Sequence, residues 1–301
     1  MPGWLFGRIS MDFAGKTAVI TGGASGIGRA LCAELVTRGA KIAVLDIEGD
    51  KAAKVAEDLG GAAVAYQCDV SDAAALDVLA EKIWTETEGV DLVFANAGIG
   101  LNAPLLTSTL AEYEATMGVN MRGVWATSKA FAGRMIADGR KGHICLTGSE
   151  HSLGLQHPGN GIYTASKHAV LGFGDVLREE LAGQVGVSVL CPGLVATDIA
   201  DSQRHYDWVE RSERALQFSR AVMAKGLDPA IVARETLDAV ARGAFLIVTH
   251  PTARAAAEKR WQDIDQAFAT QSPQDGSRDH LDVDDVVAAV MAEFKAASKP
   301  N

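Results

Sequence analysis

The chain has 301 residues, is 48% hydrophobic and 22% charged, and carries 38 acidic against 28 basic residues for a net charge of −10. That is enough apolar material for one large α/β domain or two small ones, and the acidic balance excludes a surface built for nucleic acid or anionic membrane, leaving a small molecule as the expected partner. Cys32, Cys68, Cys145 and Cys191 are widely spaced in apolar stretches with no C-x-x-C, which points to a reducing cytoplasm.

From Met1 to Asp12 the one basic residue is Arg8 and the apolar patch is short, too little for a signal peptide. Thr17 to Thr21 is a β-branched run that reads as a strand. Thr21-Gly22-Gly23-Ala24-Ser25-Gly26-Ile27-Gly28 leads from it into a helix on which Ile27, Leu31 and Leu35 recur at four-residue spacing until Gly39. A glycine-rich turn at a helix N-terminus lets backbone N–H groups and the helix dipole face a pyrophosphate. The spacing is G-x-x-x-G-x-G, a departure from the commoner G-x-G-x-x-G.

Lys41 to Asp46 reads as the second strand and completes a βαβ unit. Asp46 closes it, where a carboxylate can accept hydrogen bonds from both ribose hydroxyls of an adenosine; taken alone it is equally a solvated residue at a turn. A 2′-phosphate would set about two negative charges against that carboxylate, and neither Ser25 nor Ile47 supplies a cation, so NAD is expected over NADP.

Strands are expected again at Ala63 to Cys68, Asp91 to Asn96, His143 to Thr147, Val187 to Cys191 and Phe245 to Thr249. Helices are expected at Ala73 to Thr87, Asn120 to Ala137, Gly161 to Ala182 and Pro229 to Arg242. The alternation predicts a doubly wound, mostly parallel seven-stranded α/β sheet with helices on both faces, a three-layer Rossmann fold. The uncharged run from Leu92 to Ala111 is broken by Asn96, Asn102 and Pro104, so it reads as strand and loop and not as a membrane span.

In the expected helix from Gly161, Tyr163 and Lys167 are four apart and share a face, with about 5–6 Å between their Cβ atoms. A tyrosine with an ordinary pKa of about 10 is a poor acid–base group near neutral pH, and a cation beside it favours the phenolate. The pair therefore reads as a proton-transfer device, although the same spacing also describes a half-buried ring beside a snorkelling lysine. His143, His151, His157 and His168 lack metal-ligand spacing, and no metal is expected.

Residues 198–227 interrupt the alternation, and Trp208, Ala215, Phe218 and Val222 suggest an amphipathic helix in an inserted lid. With Tyr206 and Met223 they imply an apolar pocket. Arg204, Arg211, Arg214 and Arg220 alternate with Glu210 and Glu213, which reads as a solvated face more than a carboxylate clamp. Residues 252–301 form a helical extension to a single domain, with a polar linker from Gln271 to His280 and an apolar face of Val283, Val286, Val287, Val290, Met291 and Phe294. That face is expected to pack on its own domain or a sister subunit.

Together these residues resemble the short-chain dehydrogenase/reductase family in its common single-domain form, over about residues 15–250. The resemblance rests on Thr21 to Gly28, on Cys68-Asp69-Val70 and on Asn96-Ala97-Gly98. It rests equally on Asn120, on Tyr163 with Lys167, and on Pro192-Gly193 followed by Val195 and Thr197. It implies hydride transfer between NAD and a secondary alcohol or its ketone, with the cofactor doing the redox work. Tyr163 would be the acid–base group. Lys167 would lower its pKa and hold the nicotinamide ribose, and Asn120 would bind a water linking Lys167 to solvent. Gly22, Ser25, Gly26, Ile27, Gly28, Asp46 and Ile47 would hold the pyrophosphate and adenosine, with Asp69 and Val70 at the adenine. Asn96, Ala97 and Gly98 would follow, with Pro192, Gly193, Val195 and Thr197 at the nicotinamide.

The family's serine, thirteen residues before the tyrosine, falls here on Glu150. Ser149 is expected to serve instead after a one-residue insertion in the loop, with Ser152 as the alternative. Its task would be a hydrogen bond to the substrate oxygen. Glu150 and His151 either shape substrate preference or are solvated loop residues. The resemblance further implies a homo-dimer or homo-tetramer paired through the helices near Asn120 and Gly161. The expected activity is an NAD-dependent dehydrogenase of a bulky hydrophobic or aromatic secondary alcohol. A ketone or 3-oxoacyl thioester reductase is the alternative, and a non-catalytic cofactor-binding regulator or scaffold is the alternative from another class.

Overall fold

Thr17–Thr21 (β1), Lys41–Asp46 (β2), Ala63–Gln67 (β3), Leu92–Ala95 (β4), His143–Thr147 (β5), Gly186–Cys191 (β6) and Leu246–Val248 (β7) pair into one sheet of order β3-β2-β1-β4-β5-β6-β7 in a computed structural model that describes residues 11–297 except 102, 210 and 211. Every pairing is parallel. Strands covered on both faces must be apolar on both, and every residue of β1, β4 and β5 is buried. The chain winds outward from β1 in one direction through β2 and β3 and in the other from β4 onward. The two halves part beside the C-terminal ends of β1 and β4, the crevice where doubly wound sheets take ligands.

The helices are Gly26–Thr37 (α1), Gly49–Asp58 (α2), Ala73–Glu86 (α3), Leu110–Met117 (α4), Gly123–Ala137 (α5), Gly161–Glu180 (α6), Glu213–Met223 (α7), Pro229–Ala241 (α8), Ala253–Gln271 (α9) and Val283–Ala297 (α10). Alternation along β1 feeds two cores. Val19 joins Leu76, Ile83, Phe131, Met135 and Val170 from α3, α5 and α6 on one face. Ala18 and Ile20 join Leu31, Leu35, Val232 and Leu237 from α1 and α8 on the other. Each fully buried leucine of this kind contributes about 1.5–3 kcal/mol.

Three elements differ from expectation. Helix α2 escaped notice because Ala52, Val55 and Ala56 are its buried positions among charged neighbours, too faint an apolar face to read. The expected helix start at Asn120 is an interior point: α4 begins at Leu110 under a reciprocal Thr109–Glu112 capping box, and a π-helical turn, Gly118–Arg122, joins it to α5. In the lid, Asp198–His205 is a 3₁₀ turn and α7 starts after Ser212, so Trp208 lies outside the helix, its ring 5.2 Å from that of Tyr206. Arg8, Asn102, Glu210 and Arg211 lie outside the described residues.

The chain divides into two compact units, 1–256 and 257–301. The first holds the sheet and the lid. The second contains most of α9, a short 3₁₀ turn (Asp279–Leu281) and α10, on which Val283, Val286, Val287, Val290 and Met291 are exposed. No helix among the described residues is long and apolar enough to cross a membrane.

Candidate active site

The glycine loop leaves β1 and enters α1 with its backbone held close to other backbone. Gly26 has φ +50°, and a Cβ there would stand 2.9 Å from Thr197 Cγ2. A Cβ on Gly28 would meet the Gly22 carbonyl oxygen at 2.0 Å, so no other residue fits where α1 crosses the strand end. Asn96 braces the loop: its Nδ2 donates to the Thr21 carbonyl (3.1 Å), while the N–H groups of Asn96 and Ala97 donate to Thr21 Oγ1. At the end of β2, Asp46 accepts from Ala24 N–H on one oxygen and from Glu48 N–H on the other, both at 3.0 Å. These bonds orient the carboxylate into the crevice, where each oxygen keeps a lone pair for a ligand.

The second half of the sheet supplies the reactive groups. Lys167 is 2% exposed and donates from Nζ to the carbonyl of Thr147, the last residue of β5, at 2.8 Å. Burial pulls its ammonium down to about 8. Nζ lies 5.7 Å from the centroid of the Tyr163 ring. Contrary to expectation, the phenol sits above its ordinary value. Burial raises it, a hydrogen bond from the Ser149 hydroxyl opposes this, and the negative charge of Glu150 adds to the rise.

Ser149 is buried, lines the cleft with Tyr163, and its Oγ accepts from His151 N–H at 3.2 Å. Ser152 faces elsewhere: its Oγ donates to the Lys167 carbonyl at 2.6 Å and accepts from Ser149 N–H at 3.1 Å. The structure thus brings Ser149 to Tyr163 and uses Ser152 to tie the serine turn to α6. His151 packs edge-on against Tyr163, with ring centroids 5.3 Å apart, and its Nδ1 contacts Thr164 Oγ1 at 2.8 Å. Burial pushes its imidazole down to about 4, so it is neutral at neutral pH.

Asn120 lies inside the π-helical turn and is fully buried. Its Oδ1 accepts from Ile99 N–H (2.8 Å), and Nδ2 donates to Ile99 O (3.0 Å) and Ser166 Oγ (3.1 Å). One lone pair of Oδ1 is all its amide retains for water. Such turns often mark functional positions.

A cleft of about 560 Å³ runs from Asp46 to Tyr163. All the expected site residues line it except Gly28 and Asn120. Gly28 backs the loop, and Asn120 stands behind Gly98, whose added Cβ would lie 3.4 Å from Asn120 Oδ1 and 3.5 Å from Lys167 Nζ. Asp69 accepts from both the N–H and the hydroxyl of Ser71, and Gly193 N–H donates to His250 Nδ1 at 3.0 Å. Among the described residues no cluster of His, Cys, Asp and Glu could hold a metal ion.

The sequence did not disclose how the lid is fastened. Arg204 Nη2 meets Glu48 Oε2 at 2.7 Å across 156 positions, and Lys51 Nζ reaches the other carboxylate oxygen at 2.8 Å. Burial works to raise the Glu48 carboxyl, yet the Arg204 and Lys51 bonds prevail and hold it at about 2. Arg204 is exposed, and its partner lies across the fold instead of beside it in the lid. Arg220 pairs with Asp201 at 2.8 Å and with Glu213 at 3.7 Å. Nothing in local spacing announces a pair so distant.

The short chain dehydrogenase family model matches residues 16–208. A 1-deoxy-11-beta-hydroxypentalenate dehydrogenase of Streptomyces avermitilis is 38% identical over 62% of this chain and 71% of its own length. A D-threitol dehydrogenase of Mycolicibacterium smegmatis is 32% identical over 64% of this chain and 76% of its own. Among solved structures, a short chain dehydrogenase/reductase from Burkholderia phymatum in complex with NAD is 34% identical, covers 85% of this chain and 96% of that one, and superposes with a TM-score of 0.80.

Proposed function

The chain belongs to the short-chain dehydrogenase/reductase family of oxidoreductases, and on that premise we propose that it is an NAD-dependent dehydrogenase of an uncharged secondary alcohol, with Tyr163 as the proton-transfer group. The observation that carries this reading is the half-buried Tyr163 beside the buried Ser149 and Lys167 in a cleft that also presents Asp46. The glycine cradle has the close backbone approaches a pyrophosphate needs.

NAD, when bound, supplies the acceptor for the hydride that leaves the carbinol carbon. The chain's own groups handle the proton. The Ser149 hydroxyl donates a hydrogen bond to the substrate oxygen, and the Tyr163 phenolate accepts the proton released as the C=O bond forms. Lys167, weakened by burial to about 8, stays charged at neutral pH and keeps a positive field beside the ring. Because burial keeps the phenol above its ordinary value, the protonated form that serves ketone reduction prevails at neutral pH. Oxidation needs the phenolate, so its rate is expected to rise with pH.

Asp46 favours NAD, since its pre-oriented carboxylate accepts ribose hydroxyls and repels a 2′-phosphate. Arg204, the lid cation that lines this cleft, is engaged by Glu48. The bulk of the substrate would rest on Ile99, Phe218, Val222 and Met223, which line the other end of the cleft. Assay of aromatic, alicyclic and aliphatic secondary alcohols with NAD and with NADP tests the reading. Formation of NADH with a kcat/KM for NAD about tenfold or more above that for NADP is expected. No turnover of any alcohol or ketone would overturn it, and equal use of NADP would overturn the part assigned to Asp46.

A further inference from the structure

Glu150 follows Ser149 directly and lines the cleft, yet neither cofactor binding nor proton transfer gives it a task. Its backbone is fixed: the N–H donates to the Pro192 carbonyl at 2.8 Å, and its carbonyl accepts from Leu153 N–H at 3.0 Å in a short 3₁₀ turn. The side chain is half-buried, and among the described residues its carboxylate accepts no hydrogen bond. Burial raises its carboxyl above the usual range, with His250 and His157 opposing. Neither histidine satisfies it. His250 accepts from Gly193 N–H on Nδ1 and turns Nε2 to the Leu194 carbonyl at 2.9 Å, while His157 is exposed and stands 5.5 Å, ring to ring, from His151.

The carboxylate is open to the cleft and takes no protein donor among the described residues, so an occupant that displaces its water is favoured when it brings a hydrogen-bond donor of its own. Its place directly after Ser149 on the wall of the cleft that Tyr163 also lines sets where that donor must be: near the carbon that reacts. Resting on the dehydrogenase reading above, we propose that Glu150 is the specificity-determining residue that accepts a hydrogen bond from a second hydroxyl of the substrate, borne close to the reacting carbinol. The substrate is then a diol or a more highly hydroxylated secondary alcohol with an apolar body. One hydroxyl goes to Ser149 and Tyr163 and the other to Glu150. Hydrogen bonds to a carboxylate are stronger than those between neutral groups, and a site built for a substrate hydroxyl rejects the analogue that lacks it, because that analogue displaces water from the carboxylate without replacing its hydrogen bond.

Matched substrates test this with NAD as oxidant: 1-phenylethanol against 1-phenyl-1,2-ethanediol, cyclohexanol against cyclohexane-1,2-diol, and 2-amino-1-phenylethanol as the cationic counterpart. The wild-type protein is expected to use the diols with kcat/KM about tenfold or more above the mono-alcohols. In Glu150→Gln and Glu150→Ala that ratio should fall by about tenfold towards unity. NADH fluorescence titration and thermal melting verify that both variants fold and bind cofactor. A wild-type ratio at or below one, or a ratio unaltered in both variants, overturns the proposal. An amino alcohol preferred over the diol overturns it in favour of a cation. Turnover with an unaltered ratio leaves the dehydrogenase reading standing, whereas no turnover of any alcohol or ketone removes both.

Discussion

The two walls of the cleft are built differently. On the sheet side, Asn120, Ser149 and Lys167 are each at most 5% exposed; Asn120 is bonded to Ile99 and Ser166, Ser149 to His151 and Ser152 of its own turn, and Lys167 to Thr147 at the end of β5. On the lid side, α7 has no buried residue; Phe218 is 71% exposed, and the segment is fastened by ion pairs such as Arg204–Glu48 and Arg220–Asp201. On the proposed reading, chemistry that tolerates little displacement would sit in packed, hydrogen-bonded surroundings, and the apolar body of the substrate would meet a surface that can be refitted.

Removing single groups from each wall should break this contrast in graded steps. Next to loss of the Tyr163 phenol itself, the largest effect is expected at the serine turn. Ser149→Ala should lower kcat by about 10²–10³-fold, and Ser152→Ala should act mainly on stability, since its hydroxyl bridges Ser149 and Lys167. A greater kcat loss in the second variant would reverse the assignment of the two serines.

Acid should attack the sheet side before it frees the lid. His143 on β5 is buried with Nε2 2.7 Å from Ser188 Oγ, whose own proton goes to the Ala244 carbonyl, and burial pushes the imidazole down to about 4. The neutral ring is the one that fits, so its contribution is complete above the unfolded value of about 6.5 and is lost as pH falls towards 4, a change of about 3 kcal/mol. Glu48 contributes above the ordinary carboxylate range and loses its share as pH falls through about 2. Urea titrations between pH 7 and 4 should show stability declining across that window, and His143→Gln should flatten the decline.

Asn120→Ala removes the amide that satisfies Ile99 and Ser166 inside the fold, and about 2 kcal/mol of stability should go with it, read from the denaturation midpoint. The smallest effect is expected at the lid. The Arg204–Glu48 pair is partly exposed, so Glu48→Gln should cost about 1 kcal/mol or less in global stability. It should nevertheless accelerate proteolysis of the 198–223 segment. Unchanged cleavage there would mean that the ion pair does not hold the lid.

Legibility followed the same division. Strands β1, β2 and β5 run over the residues their β-branched patterns indicated, and Asp46 stands where the end of β2 was expected to put it. Buried parallel strands write their burial into consecutive residues, which is why they read well. Helix α2, packed through Ala52, Val55 and Ala56, wrote almost nothing. The π-helical turn around Asn120 was hidden because its residues are also acceptable in an ordinary helix. The lid fastening was hidden for another reason, the long separation of Arg204 from Glu48 in sequence. Neither did spacing reveal that Lys167 Nζ donates to the Thr147 carbonyl, or that burial raises the Tyr163 phenol where a lowered value was expected.

The sheet-side wall stands or falls with Tyr163. Comparing Tyr163→Phe with the wild-type protein, in steady-state NADH formation from a secondary alcohol and in NADH fluorescence titration, separates chemistry from binding. The expected result is a kcat lower by about 10³-fold or more with NADH affinity within about twofold. Near-normal turnover in Tyr163→Phe would contradict the assignment of proton transfer to this residue.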